Sequence, residues 1–431
     1  MVLITVDALR ADHLGCYGYP RNTSPDIDHF AKEGVTFANC FAPGSSTLHS
    51  SVGLLTGRYL ATDKYGPFWE NILDSKFTTL AEYLKSFGYY AIAFLSNGNY
   101  RIRRGFEQGF DYFHVYGDEC DAKKLTAKVL STLDRHKKDK PIFVWIHYMD
   151  PHIPYYFHKE YFNNFEGDRL YRQNDKTLEL KPDNIDTKNY LRGWASKGYI
   201  PPKAFHKDKY SLNYYIACYD AEVAYGDFYI GDLFRNIKKD NTIIILTADH
   251  GESLGEHNIY FAHGENIYDE VLHIPLIIKD NRYFKGGKIV SRPVSGIDIV
   301  PTILNRVNPI WYFFNKNKFD GIDLKSIAEN KDARRKYIYS YYPWAFSIRD
   351  IDKNVKYTLW KNGPEELYIL PDEINNLIND SSPKIDSIKV RLRESLRSWL
   401  KTYPVASDPN AKRVYIDEET ARNLRNLGYL Q

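Results

Sequence analysis

The polar residues directly behind short apolar runs are the first candidates for chemistry. Asp7 follows LITV, His147 follows IFVWI, and Asp249-His250 follows IIILTA. In an open α/β sheet, ligands sit beyond the carboxyl ends of the strands. A lone Asp at such a place is most often a helix cap or a turn former. Acidic residues or histidines at three strand ends are harder to dismiss, and two carboxylates with an imidazole suit a divalent-metal site with an open coordination position. A second group is the run APGSSTLHSSVGLLTGR, residues 42–58. Small and hydroxyl residues there lead into an apolar helix expected to end near Gly57. Thr47 reads as a plain N-cap, or as a hydroxyl at an anion-favouring helix N-terminus. Beside a metal, such a hydroxyl can ionise and attack phosphorus or sulfur. A third group is TADHGESLGEH, residues 247–257, followed by FAHG at 261–264. Its glycines and ionisable side chains suit a site loop; His257 reads as structural and His263 as a candidate for the site.

These residues must be carried by something. Short apolar, β-branched runs at 2–6, 89–95, 141–147, 242–248 and 274–278 predict strands buried on both faces, as in a parallel sheet. Helices fall between them. Ser24-Pro25 before residues 26–33 and Gly34 reads as a cap, a first-turn proline and a stop. Thr79 with Glu82 is a capping-box pattern for a helix ending at Gly88. Residues 212–237 predict one long helix. Strands alternating with helices predict a doubly wound α/β fold with a mostly parallel central sheet. Residues 157–211, rich in Lys, Asn, Asp and Tyr, break the rhythm and read as a surface excursion or a lid. Beyond about residue 335 the texture changes. Strands at 337–342, 355–360 and 366–370 and a helix at 387–400 predict a small C-terminal α+β domain, 336–431, after a catalytic domain of 1–335.

The bulk properties set limits. The 431 residues are 43% hydrophobic and 26% charged, a balance that excludes wholesale disorder. The 58 basic and 55 acidic residues leave +3, with no strongly charged run, which gives no support to a nucleic-acid or membrane-surface role. Four cysteines without a CxxC pattern argue against a disulfide framework or zinc ribbon. No run approaches the ~18 apolar residues of a membrane span. MVLITVDALR has no signal-peptide layout, so no membrane anchor and a cytoplasmic location are expected.

LITVDALRADHLGCYGYPRNTSPDIDHFAKEGVTFANCFA, the LLTGR ending, TADHGESLGEH, IDIVPTIL and the C-terminal EELYILPDEINNLI together resemble the sulfatase family of the alkaline-phosphatase superfamily. The resemblance implies an α/β sandwich, a metal between strand ends and a nucleophile at a helix N-terminus. It also implies hydrolysis through a covalent enzyme intermediate. Residue by residue, it implies Asp7, Asp249 and His250 as metal ligands, with Thr47, counted back from LLTG, as nucleophile and further ligand. Arg58 matches the Arg of LLTGR that supports the nucleophile. His147 and His152 both fall near the family's substrate histidine, with His152 favoured for a catalytic role. His263 matches a Lys or His that contacts substrate and protonates the leaving group. Asn71 aligns with a substrate-contacting Asn ahead of the TLAEYL helix. The second Asp common after the first ligand is Ala8 here, so one ligand is missing. With His250 supplying nitrogen, the expected cofactor is one divalent ion, Mn²⁺ or Zn²⁺ ahead of Ca²⁺ or Mg²⁺.

The nucleophile frame departs from the family. Formylglycine sulfatases carry Cys or Ser in a C/S-x-P-x-R context; here the frame is Thr47-Leu48-His49-Ser50-Ser51. Cys40-Phe41-Ala42-Pro43-Gly44 does not restore it. An unmodified Thr is the type used by superfamily phosphodiesterases and phosphoglycerol or phosphoethanolamine transferases. The expected function is therefore a metal-dependent hydrolase or transferase of a small-molecule phosphate ester, a phosphodiester or phosphonate monoester, through a covalent Thr intermediate. The alternatives are a sulfate-ester hydrolase working without formylglycine, and a non-catalytic binding protein that keeps the fold.

Overall fold

In the computed structural model of the chain, the described residues are 1–61, 72–100, 103–117, 119–135, 140–165, 175–180, 198–201, 204–237, 241–331, 335–361, 363–407, 409–410 and 412. Asn71 and much of the 157–211 excursion lie outside them.

The central sheet has eight strands: β1 (Val2–Val6), β2 (Val35–Phe37), β3 (Tyr90–Leu95), β4 (Tyr112–Val115), β5 (Ile142–Tyr148), β6 (Ile244–Ala248), β7 (Leu276–Lys279) and β8 (Lys288–Val290). Their spatial order is β8-β2-β7-β6-β1-β5-β3-β4. The pairings β6-β1-β5-β3-β4 and β8-β2 are parallel, and β7 runs antiparallel to both its neighbours. β1 and β6 are buried at every residue, as strands covered by helices on both faces must be. Register then decides where chemistry can occur. Val6 stands opposite both Tyr148 and Ala248, and Leu95 stands opposite His147. The chain therefore leaves four adjacent strands at one level, and the residues that follow share one edge.

Two sequence expectations are corrected in detail. The run 274–278 is two strands, because Pro275 has no N–H for a ladder. His273–Ile274 pairs with Cys40–Phe41, and β7 begins at Leu276. β4, an edge strand with half-exposed and exposed residues, carried no apolar run by which to find it.

The helices that bear on the argument are α1 (Pro25–Glu33), α2 (Thr47–Thr56), α3 (Leu80–Ser86), α4 (Ala122–Arg135) and α5 (Leu212–Asn236). The Thr79–Glu82 capping box of α3 is formed in both directions. Ser24 holds the cap position of α1 without a side-chain capping bond; its hydroxyl accepts from the Gly15 N–H and donates to Asp28. The capping acceptor comes from α5 instead. Asp227 accepts the Asp26 and Ile27 N–H groups at 3.0 and 2.7 Å. Asp227→Ala should cost about 1–2 kcal/mol, the upper range for a lost cap, while Ser24→Ala leaves the α1 N–H groups paired. Urea melts of the two variants compare them, and equal losses would reject the assignment.

The C-terminal segment forms a four-stranded antiparallel sheet, Tyr337–Tyr342, Ala345–Asp350, Val355–Trp360 and Glu365–Ile369, covered by the helix Pro383–Thr402. Ile348, Val355, Tyr357 and Leu367 pack there with Ile385, Leu392 and Leu396. The strand Ala345–Asp350 was not foreseen from the sequence. Buried Lys356 anchors this sheet to the segment behind the site, donating to the Ile267 carbonyl at 2.7 Å and to Asp269 at 3.0 Å and forming an ion pair with Glu373 at 2.6 Å. Among the described residues no helix is long and apolar enough to cross a membrane.

Candidate active site

Asp7, Asn97 and Asp249 emerge from β1, β3 and β6 at the shared edge, and α2 points its N-terminus at them. Asp7, Thr47, His147, Asp249 and His250 are each 2% exposed or less, so every polar atom there must find a partner or a ligand.

The partners are assigned asymmetrically. Oδ2 of Asp7 accepts from Asn97 Nδ2 at 2.6 Å and lies 3.1 Å from His147 Nε2. His147 is oriented in turn from behind. Trp145 Nε1–H donates to Thr5 Oγ1 at 3.0 Å, and Thr5 Oγ1 lies 2.8 Å from His147 Nδ1. The Thr5 hydroxyl proton then points to Nδ1, which places the ring proton on Nε2, donating to Asp7. Oδ1 of Asp249 accepts the His250 backbone N–H at 2.9 Å. Nδ1 of His250 donates to the Gly251 carbonyl at 2.8 Å, so Nε2 presents its lone pair.

What remains is one atom per residue, all facing a common centre. Oδ1 of Asp7 and Oδ2 of Asp249 are buried without a hydrogen-bond partner. His250 Nε2 lies 3.4 Å from the first, 3.5 Å from the second and 3.3 Å from Thr47 Oγ1. Donors about 2.1 Å from one ion, at tetrahedral angles, stand about 3.4 Å apart. Asp7, Asp249 and His250 therefore form a candidate metal-binding group whose orphaned atoms, tautomer and spacing all fit a divalent cation. The charges agree. Burial alone raises the Asp7 carboxyl, but the imidazoles of His152, His147 and His250 outweigh it and hold the group below the usual range. Asp249 is pushed up to about 6, by burial first and then by the Asp7 carboxylate. Two carboxylates so close need a cation between them to ionise together.

Thr47 is the first residue of α2, and Ser46 holds the cap position without a side-chain capping bond. The plain-cap reading of Thr47 therefore fails: its hydroxyl lies 3.3 Å from His250 Nε2, at the helix end whose first-turn N–H groups have no partner within the helix. Across the centre, His152 Nε2 and His263 Nε2 lie 3.2 Å apart. His263 Nδ1 is 2.9 Å from buried Glu252 Oε1, and His152 Nδ1 contacts the Ile153 carbonyl. With both Nδ1 atoms donating outward, the Nε2 contact needs a proton of its own. A proton on either Nε2 would be balanced by the Glu252 carboxylate, whose Oε1 lies 2.9 Å from His263 Nδ1. His263 also stacks on His250 at 4.3 Å.

The structure brings together Asp7, Thr47, His152, Asp249, His250 and His263. It leaves Arg58 out. Arg58 lies beyond the far end of α2, about 15 Å of helix from Thr47, with its side chain near Asp320 and over the Phe77 ring. The helical rise separates a residue eleven places downstream from the N-terminal nucleophile position, so the expected support role has no geometry here. His147 is fully buried behind Asp7 and positions that carboxylate, with no exposed edge for a substrate. Asn97 and Glu252 were not singled out from the sequence. Asn97 sits two residues after the apolar run of β3, and a strand-end search with that allowance finds it. Glu252 lies inside TADHGE, where nothing marks it off from its neighbours.

A family model described as Sulfatase matches residues 1–309, and the chain belongs to the sulfatase family. It is 25% identical to the uncharacterized sulfatase YidJ of Escherichia coli (strain K12), over 70% of this chain and 66% of that protein. It is 24% identical to iduronate 2-sulfatase of Homo sapiens, over 70% of this chain and 62% of that protein. The chain thus spans slightly under two thirds of the length of these curated relatives. Among solved structures, the phosphonate monoester hydrolase of Agrobacterium radiobacter aligns with a TM-score of 0.70 at 19% identity, covering 93% of this chain and 95% of that one. That likeness establishes the alkaline-phosphatase-like α/β fold.

Proposed function

We propose that this protein is a metal-dependent hydrolase or transferase of small-molecule phosphate esters, phosphodiesters or phosphonate monoesters, acting through a covalent Thr47 intermediate. The observation that carries the reading is the Thr47 hydroxyl at a helix N-terminus, 3.3 Å from the His250 nitrogen that faces Asp7 and Asp249. A divalent ion held by Asp7, Asp249 and His250, Mn²⁺ or Zn²⁺ by donor chemistry, would supply Lewis-acid stabilisation and lower the pKa of that hydroxyl. The remaining steps belong to the chain. Thr47 Oγ1, its proton released to solvent, attacks phosphorus in line, forming an ester bond as the bond to the leaving oxygen breaks. The N–H groups of the first α2 turn offset charge on the non-bridging oxygens. The proton held between His152 and His263 passes to the leaving oxygen, and Glu252 keeps His263 turned toward it. Water or an acceptor alcohol then attacks phospho-Thr47, giving its proton back to the histidine pair, and the bond from phosphorus to Thr47 Oγ1 breaks as Oγ1 regains a proton from solvent.

This role of His263 is testable by the leaving group. His263→Ala should slow an alkyl phosphodiester by about 10²–10⁴-fold, the usual range for a lost general acid. A nitrophenyl ester, whose leaving oxygen needs no proton, should be much less affected. Equal losses on both substrates would remove His263 from the acid step.

Sulfate-ester hydrolysis is the second reading, favoured by family membership. The ratio of activity on a bis-aryl phosphate to activity on an aryl sulfate separates the two. We further propose that the 157–211 excursion acts as a lid. In its described part, Gly198 donates to the Asn258 carbonyl and Lys176 Nζ to Asn258 Oδ1 at 3.2 Å, in the segment that leads to His263.

A further inference from the structure

A second cluster of metal-ligating side chains lies outside the catalytic constellation. Asp150 follows β5, His158 precedes the short helix Lys159–Phe162, and Glu222 projects from α5. One ligand atom from each lies within 4.8 Å of the others. Asp150 and Glu222 are buried, at 5% and 1% exposure.

Here the Asp150 and Glu222 carboxyl groups share a hydrogen bond with each other, and one oxygen and one nitrogen are left over. Asp150 Oδ2 accepts the Ala122 backbone N–H at the start of α4, at 2.9 Å. The Glu222 carboxyl group accepts the Tyr156 backbone N–H. Glu222 Oε1 and His158 Nε2 are then left 3.4 Å apart, both buried without a hydrogen-bond partner. The His158 ring is held in place by stacking on Tyr225, 3.8 Å between centroids, and Tyr225 lies three residues along α5 from Glu222, on the same helix face. Without a cation, burial works against ionising any of the three. It pushes Glu222 up to about 8 and, with Glu222 beside it, raises Asp150; it also lowers His158, opposed by Asp150.

We infer that Asp150, His158 and Glu222 form a second, structural divalent-metal site that takes Zn²⁺. Two carboxylates neutralise the ion's charge in a buried setting, and one neutral imidazole with them selects a transition metal over Ca²⁺ or Mg²⁺. The ion would tie segment 150–158, which carries His152, to α5 and α4. The site shares no ligand with the Asp7 centre and does not depend on the ester-hydrolase reading.

The test is zinc stoichiometry by elemental analysis of full-length protein, stripped with chelator, reloaded with Zn²⁺ and gel-filtered. Wild type should hold two zinc ions per chain. Asp7→Asn/Asp249→Asn should keep one, together with a zinc-dependent rise in melting temperature. Glu222→Gln should lose one ion, and so should His158→Ala, a less buried change that guards against misfolding of the first. Circular dichroism confirms the fold of each. Zinc at one per chain in wild type and none in Asp7→Asn/Asp249→Asn would overturn the inference. So would wild-type stoichiometry in both Glu222→Gln and His158→Ala. Failure of the catalytic centre alone reads differently: one zinc in wild type, retained in Asp7→Asn/Asp249→Asn and lost in Glu222→Gln.

Discussion

Thr47→Ala is expected to lower turnover by about 10³-fold or more while the protein stays folded. The two effects have different sizes because they have different causes. Thr47 is the first residue of α2 rather than its cap, so the truncation removes no capping bond. Its methyl and hydroxyl are buried, yet a loss of this size costs at most about 1–2 kcal/mol of stability. The covalent path, in contrast, loses its attacking oxygen, and two neighbouring hydroxyls are engaged elsewhere. Ser50 donates to the Asp249 backbone carbonyl, and Ser46 pairs with His49 Nδ1 at 2.5 Å. Thr47→Ser should retain measurable activity because the hydroxyl survives. Thr47→Cys should not yield an efficient formylglycine sulfatase, since His49 and Ser51 stand where that context needs Pro and Arg. Rate and melting temperature measured on the same Thr47→Ala preparation decide the matter. Full activity with a small stability loss would return Thr47 to an ordinary helix residue.

Asp249→Asn and Asp7→Asn should each remove tight binding of the catalytic ion, and activity with it. Chelator should do the same to wild type, reversibly. The amide keeps the shape of the carboxyl group but loses the charge that faces the cation. Residues behind the ligands should matter less. His147→Ala and Asn97→Ala leave Asp7 charged but unheld, and should weaken metal affinity by about 10–100-fold, the range for an outer partner. Titration with Mn²⁺ and Zn²⁺, read by calorimetry and by rate, orders the four variants. Equal affinity in wild type and Asp249→Asn would dismantle the centre as described.

The strands that carry Asp7, Asp249 and His250 were legible because fully buried strands write continuous apolar runs, and the candidate ligands stand directly behind them. α2 was legible through its small-residue entry and Gly57, whose φ of 69° is the left-handed stop a glycine provides. Residues with no such local signature escaped. The capping of α1 by Asp227 joins positions about 200 apart in the chain. The Trp145–Thr5–His147 relay depends on which strands pair, and Arg58 was misplaced because a motif records order along the chain and not helical rise.

Composition and spacing by themselves determined the α/β class and the candidate ligands behind the strands, because burial is a local property of the chain; the reading of Thr47 in place of a formylglycine precursor came from the resemblance to sulfatases. Tertiary structure alone decided which oxygen of each carboxylate is tied and which is left for a cation, since that follows from register across β3, β5, β1 and β6. It decided likewise that His147 serves Asp7 while His152 meets His263. His147 lies near the end of β5 and His152 four residues beyond it, but only the packed edge fixes which faces inward to a ligand and which crosses the cleft.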